Sequence, residues 1–283
     1  MAMPRFLERY DDQYVMVDGL KIRYWDVGSG SPVLLLHGLG ASAEVWSFNI
    51  EALASQCRVL VPDLPGSGRS VKEGFEYSLN YAAKFLASFL SKVGAATVSA
   101  VGNSMGGIIA LQFTLDYPQL VDRLVLIDSA GLGREASFSL RFNALPLRDR
   151  LVYSRARIEV TVKQTLRSIL SNADSLPPEL VDCWVELSCL PGAVSAMHRA
   201  ARVGLTFWGQ KRSIILRDRL SEIKIPTMVV WGSADPLFPV KHAHTAHRLL
   251  PGSQLHILNG CRHCPQLERP AEFNDLMLKF LHS

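Results

Sequence analysis

Three features of the sequence predict an α/β fold: a mostly parallel sheet interrupted late by a helical insert. Short, nearly unbroken apolar runs recur along the chain, segments with helical spacing separate them, and residues 134–220 show helical patterns without a buried-strand run. Strands covered on both faces lose the polar alternation of half-exposed strands, and crossover helices are what cover them.

The first element is a hairpin. Two alternating runs in Tyr14–Trp25 flank Asp18-Gly19, where glycine tolerates the positive φ of a tight turn. Pro32 to Leu36, Arg58 to Val61, Thr97 to Val101, Arg123 to Ile127 and Thr227 to Trp231 read as strands buried on both faces. Leu79, Ala82, Ala83, Leu86, Phe89, Leu90 and Val93 recur at helical spacing between them. In the insert, Val160, Val162, Leu166, Ile169 and Leu170 form a helical pattern, and Leu176-Pro-Pro and Leu190-Pro-Gly punctuate the remainder of it. Gln254 to Leu258 reads as the last strand and Pro270 to Leu281 as a closing helix. Residues 1–133 and 221–283 are thereby assigned to a core, and 134–220 to a helical cap, or lid.

Composition narrows the function. The 283 residues are 48% hydrophobic and carry a net charge of +4, a globular composition that excludes intrinsic disorder. No apolar run approaches the roughly 20 residues of a membrane span, and Met1–Tyr10 lacks the apolar centre of a secretory signal, so a cytoplasmic protein is expected. Residues 134–220 hold 14 Lys/Arg and 8 Asp/Glu, a net +6 that leaves −2 elsewhere. No basic run alternates with aromatics, so no nucleic-acid partner is expected. The five cysteines, an odd number without secretory context, suit reduced thiols. Cys261-Arg-His-Cys264 has metal-pair spacing but no second pair, so neither a metal nor another cofactor is expected. The oligomer is left open between monomer and homodimer.

The chemistry centres on Gly102-Asn-Ser-Met-Gly, a Gly-x-Ser-x-Gly pentapeptide between an apolar strand and a helical pattern. A serine there occupies a tight strand-to-helix turn with its hydroxyl projecting, and the Met105 amide at the helix start favours an oxyanion. Serine is a weak nucleophile without a base, and the base needs an orienting acid. Asp235 follows a buried strand, and His263 follows the last one. Asp128, after the strand ending at Ile127, is the competing acid. The proposed triad is Ser104, Asp235 and His263. In His37-Gly-Leu, the Leu39 amide supplies the second oxyanion donor, while His37 braces the loop. His242, His244 and His247 read as solvated residues on one helix, and Asp63-Leu-Pro-Gly-Ser-Gly-Arg-Ser as packing beneath the site. Leu140, Phe142, Leu145, Leu147, Trp184, Leu187, Met197, Phe207 and Trp208 could line an apolar acyl site or pack the cap. Substrate-binding candidates are His37, Gly38, Asn103, Leu140, Trp184, Trp208, Phe238 and Cys264.

With these residues placed, the chain resembles the α/β-hydrolase superfamily from Tyr14 to the last helix, on His37-Gly38, Asp63 to Gly68, Gly102 to Gly107, Gly232 to Pro239, and His263 with Glu268-Arg-Pro270. The resemblance implies an eight-stranded sheet with the cap after the sixth strand. It also implies the chain order Ser104, Asp235, His263. Gly102-Asn-Ser-Met-Gly-Gly and Glu268-Arg-Pro-Ala-Glu-Phe-Asn look like the meta-cleavage product (C–C bond) hydrolases. Three positions depart from that group: Cys264 stands where it usually has Trp, Cys183 replaces a cap arginine, and Leu39-Gly-Ala-Ser replaces a Gly/Pro-rich loop. The expected activity is therefore hydrolysis of a small-molecule carboxylic ester with a small to medium apolar group. C–C hydrolysis of ring-fission dienoates and a hormone-receptor-like binding protein are the alternatives. A hydroxynitrile lyase or perhydrolase would use a similar triad, and no residue selects one.

Overall fold

The structure is a computed structural model that describes residues 10–145 and 153–282. Leu147, one of the expected pocket residues, lies outside them. A hairpin opens the fold: β1 (Gln13–Val17) and β2 (Leu20–Gly28) meet at Asp18 and Gly19, both at positive φ. There follow β3 (Pro32–Leu36), α1 (Ile50–Ala54), β4 (Arg58–Pro62), α2 (Leu79–Val93), β5 (Val98–Asn103), α3 (Met105–Asp116) and β6 (Val121–Ile127). The insert comes next, with α4 (Phe138–Phe142), α5 (Arg155–Ile169), α6 (Pro178–Ser188), α7 (Ala193–Gly204) and the short strands β7 (Leu205–Thr206) and β8 (Gly209–Gln210). The chain returns through β9 (Thr227–Gly232), α8 (Lys241–Leu249), β10 (Gln254–Leu258), α9 (Pro265–Glu268) and α10 (Pro270–Leu281).

Eight strands form one sheet in the order β1-β2-β4-β3-β5-β6-β9-β10, parallel from β4 onward, with β1 and β2 antiparallel at one edge. The strand pleat divides its core. Leu34 and Leu36 face the layer containing Leu86, Phe89, Ile109 and Phe113; Val33 and Leu35 face Trp46, Phe273, Met277 and Phe280. β5 is buried at all six positions, Ser99 and Asn103 included, because both of its faces are covered. The 2-stranded β7–β8 ribbon, with two residues per strand, corrects the expectation of a purely helical insert; it is too short to leave an apolar signature. Among the described residues no single helix is long and apolar enough to cross a membrane.

The histidines of α8 need a second correction. His244 and His247 are exposed, but His242 is buried, its Nε2 2.9 Å from Glu135 Oε2 and its ring edge-on to Trp231. It shares the helix's inner face with Ala243 and Ala246, and that face, not the spacing among the histidines, decides its burial.

One buried charge cluster ties the loops after β3 and β4 to β2. The Arg23 side chain has no exposure, and its Nη2 lies 2.6 Å from Asp12 and 3.1 Å from Glu44. Asp63 Oδ1 lies 3.4 Å from Arg23 Nη1 and accepts from the Ala43 amide at 2.8 Å, while its Oδ2 accepts from the Arg69 amide at 2.7 Å. Burial opposes the Arg23 charge, but Asp63, Glu44 and Asp12 outweigh it and hold the guanidinium's pKa above its ordinary value. Arg23→Met would leave Asp63 a buried anion without its cation, while Glu44 would keep Arg69 at 2.7 Å, a loss of about 3–5 kcal/mol. Urea unfolding should show that loss, and a change under ~1 kcal/mol would refute it.

Candidate functional site

β5 ends in a strained turn. Ser104 sits at φ 58 and ψ −116, immediately before the first residue of α3. Such a backbone costs about 1–3 kcal/mol and persists only when its surroundings hold it. Here the Ser104 amide donates to the Ile127 carbonyl at 2.9 Å, and the Ser104 carbonyl accepts from Ala130 and Gly107, each at 3.1 Å. The glycines are required by contact: a Cβ on Gly102 would strike the Gly106 carbonyl, and one on Gly106 the Leu36 carbonyl. The helix starting at Met105 then directs its free amides and positive dipole end toward the serine.

The loop after β3 lies alongside. A Cβ on Gly38 would come within 3.2 Å of the Ser104 Cβ, so the Gly38–Leu39 backbone runs beside the serine. His37 is fully buried; its Nδ1 lies 2.8 Å from the Gly38 carbonyl, and its Nε2 accepts from the Leu64 amide at 3.1 Å. Those partners assign the Nδ1–H tautomer, and burial pushes the pKa down, so the ring is neutral. Both nitrogens are occupied in bracing the loop, which leaves His37 outside any substrate contact.

His263 and Asp235 come together. His263 Nδ1 lies 3.0 Å from Asp235 Oδ2, and both side chains are buried. Asp235 Oδ1 accepts from the Leu237 amide at 2.7 Å, and Phe238 packs edge-on to the imidazole. Asn103, the residue before the serine, donates from Nδ2 to the carbonyls of His263 at 3.1 Å and Ile127 at 3.3 Å. It thus joins the serine turn to the histidine loop. Asp128 is the third acid-base side chain of this cluster: ligand atoms of Asp128, Asp235 and His263 lie within 4.8 Å of one another. Asp128, at φ 42, is fully buried and accepts from the Gly232 amide at 3.0 Å. Burial and the Asp235 charge push its pKa well above the ordinary value, so it holds a proton and hydrogen-bonds Asp235. Among the described residues this trio alone is compact enough for a metal ion.

Sequence reasoning missed the clamp between the histidine loop and the insert. The His263 amide donates to the Ile169 carbonyl at 2.9 Å. Glu268 accepts from the Arg262 amide at 2.8 Å and the Ser171 amide at 2.7 Å. Arg262 Nη1 donates to the carbonyls of Arg167, Ser168 and Leu170 at the end of α5. A helix C-terminus attracts a cation, but the pairing spans more than 90 positions and leaves no local signal.

A cavity of about 130 Å³ opens on Ser104, walled by Leu39, Met105, Leu140, Phe238, Phe75, Phe85, Ile108 and Leu205 among others. A second, of about 70 Å³, adjoins it at Leu39 and Met105 and is lined by Trp184, Leu187 and Met197. Of the remaining candidates, Cys264 is buried, its thiol pushed well up by burial, and it lines neither cavity. Trp208 is 78% exposed and also lines neither.

Residues 31–270 match the family model described as the alpha/beta hydrolase fold. The chain is 34% identical to an uncharacterized protein of Mycobacterium tuberculosis over 95% of its own length and 80% of that protein. It is 30% identical to the 2-hydroxy-6-oxo-6-phenylhexa-2,4-dienoate hydrolase of Burkholderia cepacia, covering 94% of this chain and 92% of that one. Among solved structures, a membrane phospholipase A described as a bacterial virulence factor superposes with a TM-score of 0.81 at 27% identity, covering 98% of this chain and 87% of that one. A meta-cleavage product hydrolase from Pseudomonas fluorescens superposes with a TM-score of 0.81 at 25% identity, covering 95% and 97%.

The raised pKa of Asp128 has a defined sign. The folded state keeps a proton that the unfolded chain releases above about pH 4, so this group's stabilisation is present at low pH and is lost as pH rises toward its folded pKa. Asp128→Asn keeps a donor toward Asp235 without titrating. Its stability relative to wild type should therefore rise with pH from about 4 and then level off, as read from urea midpoints. A pH-independent difference would contradict a protonated Asp128.

Proposed function

Because the chain belongs to the alpha/beta hydrolase fold family, we propose that it is a serine hydrolase of carboxylic esters with an apolar acyl group. The observation that carries this reading is the cavity at Ser104. Its walls are aliphatic and aromatic, and among the described lining residues none is cationic; Glu76 is the one carboxylate. An apolar acyl chain is stabilised in such a pocket, whereas a carboxylate would be desolvated without a counter-charge.

In the proposed mechanism His263 Nε2 takes the Ser104 proton as the hydroxyl attacks the ester carbonyl. Asp235, on Nδ1, holds the tautomer and stabilises the imidazolium. The Leu39 and Met105 amides bind the developing oxyanion, His263 returns the proton to the leaving alcohol, and water then cleaves the acyl-enzyme. Residues 134–220 act as the cap: Leu140, Val203 and Leu205 close the acyl cavity, and Trp184 walls the adjoining cavity, which we assign to the alcohol. Gly38 and Asn103 position this machinery.

The relatives favour a second reading. The Burkholderia cepacia and Pseudomonas fluorescens proteins are named as a dienoate hydrolase and a meta-cleavage product hydrolase, which makes C–C hydrolysis of a ring-fission dienoate the alternative. It would need a cation for the dienoate's acid end, which the described walls do not supply.

Ser104→Ala and His263→Ala should each lower kcat on a p-nitrophenyl ester by about 10⁴–10⁶-fold, and Asp235→Asn by about 10²–10⁴-fold. Asp128→Asn should stay within ~10-fold, because it preserves the donor to Asp235. Near-normal turnover by Ser104→Ala would sink the assignment, and loss with Asp128→Asn alone would move the acid to β6. Across esters of graded acyl length and a ring-fission dienoate, kcat/KM should favour apolar acyl groups; a preference for the dienoate selects the second reading.

A further inference from the structure

The insert carries an aromatic face that the proposed chemistry does not use. Phe138, Phe207 and Trp208 are 58%, 51% and 78% exposed, and Phe142 is also exposed. They are contiguous: ring centroids are 6.0 Å apart for Phe138 and Phe207, 5.2 Å for Phe207 and Trp208, and 6.5 Å for Phe138 and Phe142. Arg141 lies among them, its guanidinium 5.7 Å from the Phe138 ring centre and its Nη1 donating to the Phe207 carbonyl at 2.9 Å. The turn is rigid, since Thr206 Oγ1 accepts from the Trp208 amide and donates to the Gly209 carbonyl, and Gly209 takes a φ of 121. Trp208 is therefore held outward by its backbone. Single exposed apolar residues are ordinary, but a contiguous, braced aromatic patch marks a contact surface.

Charge indicates the partner. The two stretches that build the patch, 134–145 and 199–212, contain six Lys/Arg (Arg134, Arg141, Arg199, Arg202, Lys211 and Arg212) against one acid, Glu135. Glu135 is already paired with Lys241 and His242, and Arg199 with Glu73 at 3.6 Å, so the excess of the two stretches rests on the other five cations. Tryptophan and phenylalanine flanked by cations are the residue types that settle at the interface of an anionic bilayer, rings at headgroup depth and cations on the phosphates. The position of the patch points the same way. Leu140, between Phe138 and Phe142, and Leu205, two residues before Phe207, are walls of the Ser104 cavity.

We propose that the Phe138–Phe142–Phe207–Trp208 face, with Arg141 and its basic surround, docks the protein peripherally on anionic phospholipid membranes. A bilayer so docked would lie against the elements that wall the cavity, and an ester with a lipid acyl chain would enter from it. That second step rests on the esterase reading; the docking does not.

Sedimentation of the full-length protein with vesicles tests it, comparing phosphatidylcholine alone with phosphatidylcholine mixed with phosphatidylglycerol. Wild type should bind the mixed vesicles at least ~10-fold more tightly, and 1 M salt should weaken that binding by shortening the screening length to about 3 Å. Phe207→Ser with Trp208→Ser should lower the affinity at least ~10-fold while the melting temperature stays near wild type, as for surface substitutions. Ser104→Ala should bind like wild type, so failure of the hydrolase assignment would leave this result intact. Equal binding to both vesicles, or binding to neither, would overturn the proposal. So would a wild-type dimer that the double variant splits in size-exclusion chromatography, which would assign the face to a second copy of the chain.

Discussion

A single backbone turn imposes order on the rest of the site. Ser104 occupies a region of φ and ψ that a side chain rarely adopts, and it stays there because β6, α3 and the β3 loop leave no other path. The glycines at 102 and 106 let strand, helix and loop approach to backbone contact. In the mechanism proposed above, the Leu39 and Met105 amides are the donors that this contact fixes beside the serine. Donors fixed in this way need no reorganisation when charge develops, which is how preorganised sites lower barriers.

The acid side of the site is built with similar economy. β6 and β9 are neighbours in register, so the residues that follow them, Asp128 and Asp235, end side by side beneath His263. Two carboxylates in so small a buried space repel, and burial together with its neighbour pushes Asp128, the fully enclosed one, toward its protonated form. The neutral partner then serves as a hydrogen-bond donor, placed by the same backbone that places Gly232.

Much of this architecture is legible in the chain. The buried strands read as apolar runs because helices cover both faces, and β3, β10 and the closing helix match the expected limits at both ends. The Ser104 turn is legible because glycines beside a serine at a strand end serve a narrow geometric need, a reversal too tight for flanking side chains. Less legible are features that depend on distant partners. His242 is buried by the face of α8, Trp208 projects outward because of a two-residue ribbon, and Cys264 sits in the core despite following the histidine. The Arg262–Glu268 clamp pairs a loop with a helix end far away in sequence. Periodicity describes an element's own faces; it does not say which neighbour arrives to cover them.

The neck of the insert has a consequence for how such chains diversify. Gln210, fully enclosed, accepts from the Gly131 amide at 2.8 Å and donates to the Gly133 carbonyl at 2.7 Å, while its own amide reaches the Arg134 carbonyl and Leu216 reaches Gly131. The outgoing and returning strands of chain are thus sewn together 79 positions apart. Because the entropy of closing a loop grows only logarithmically with its length, a stitched neck of this kind is nearly indifferent to the segment hanging from it. Segments of different length and composition can therefore be accommodated between Arg134 and Gln210 at little entropic cost, provided that they keep the contact of α5 with the histidine loop.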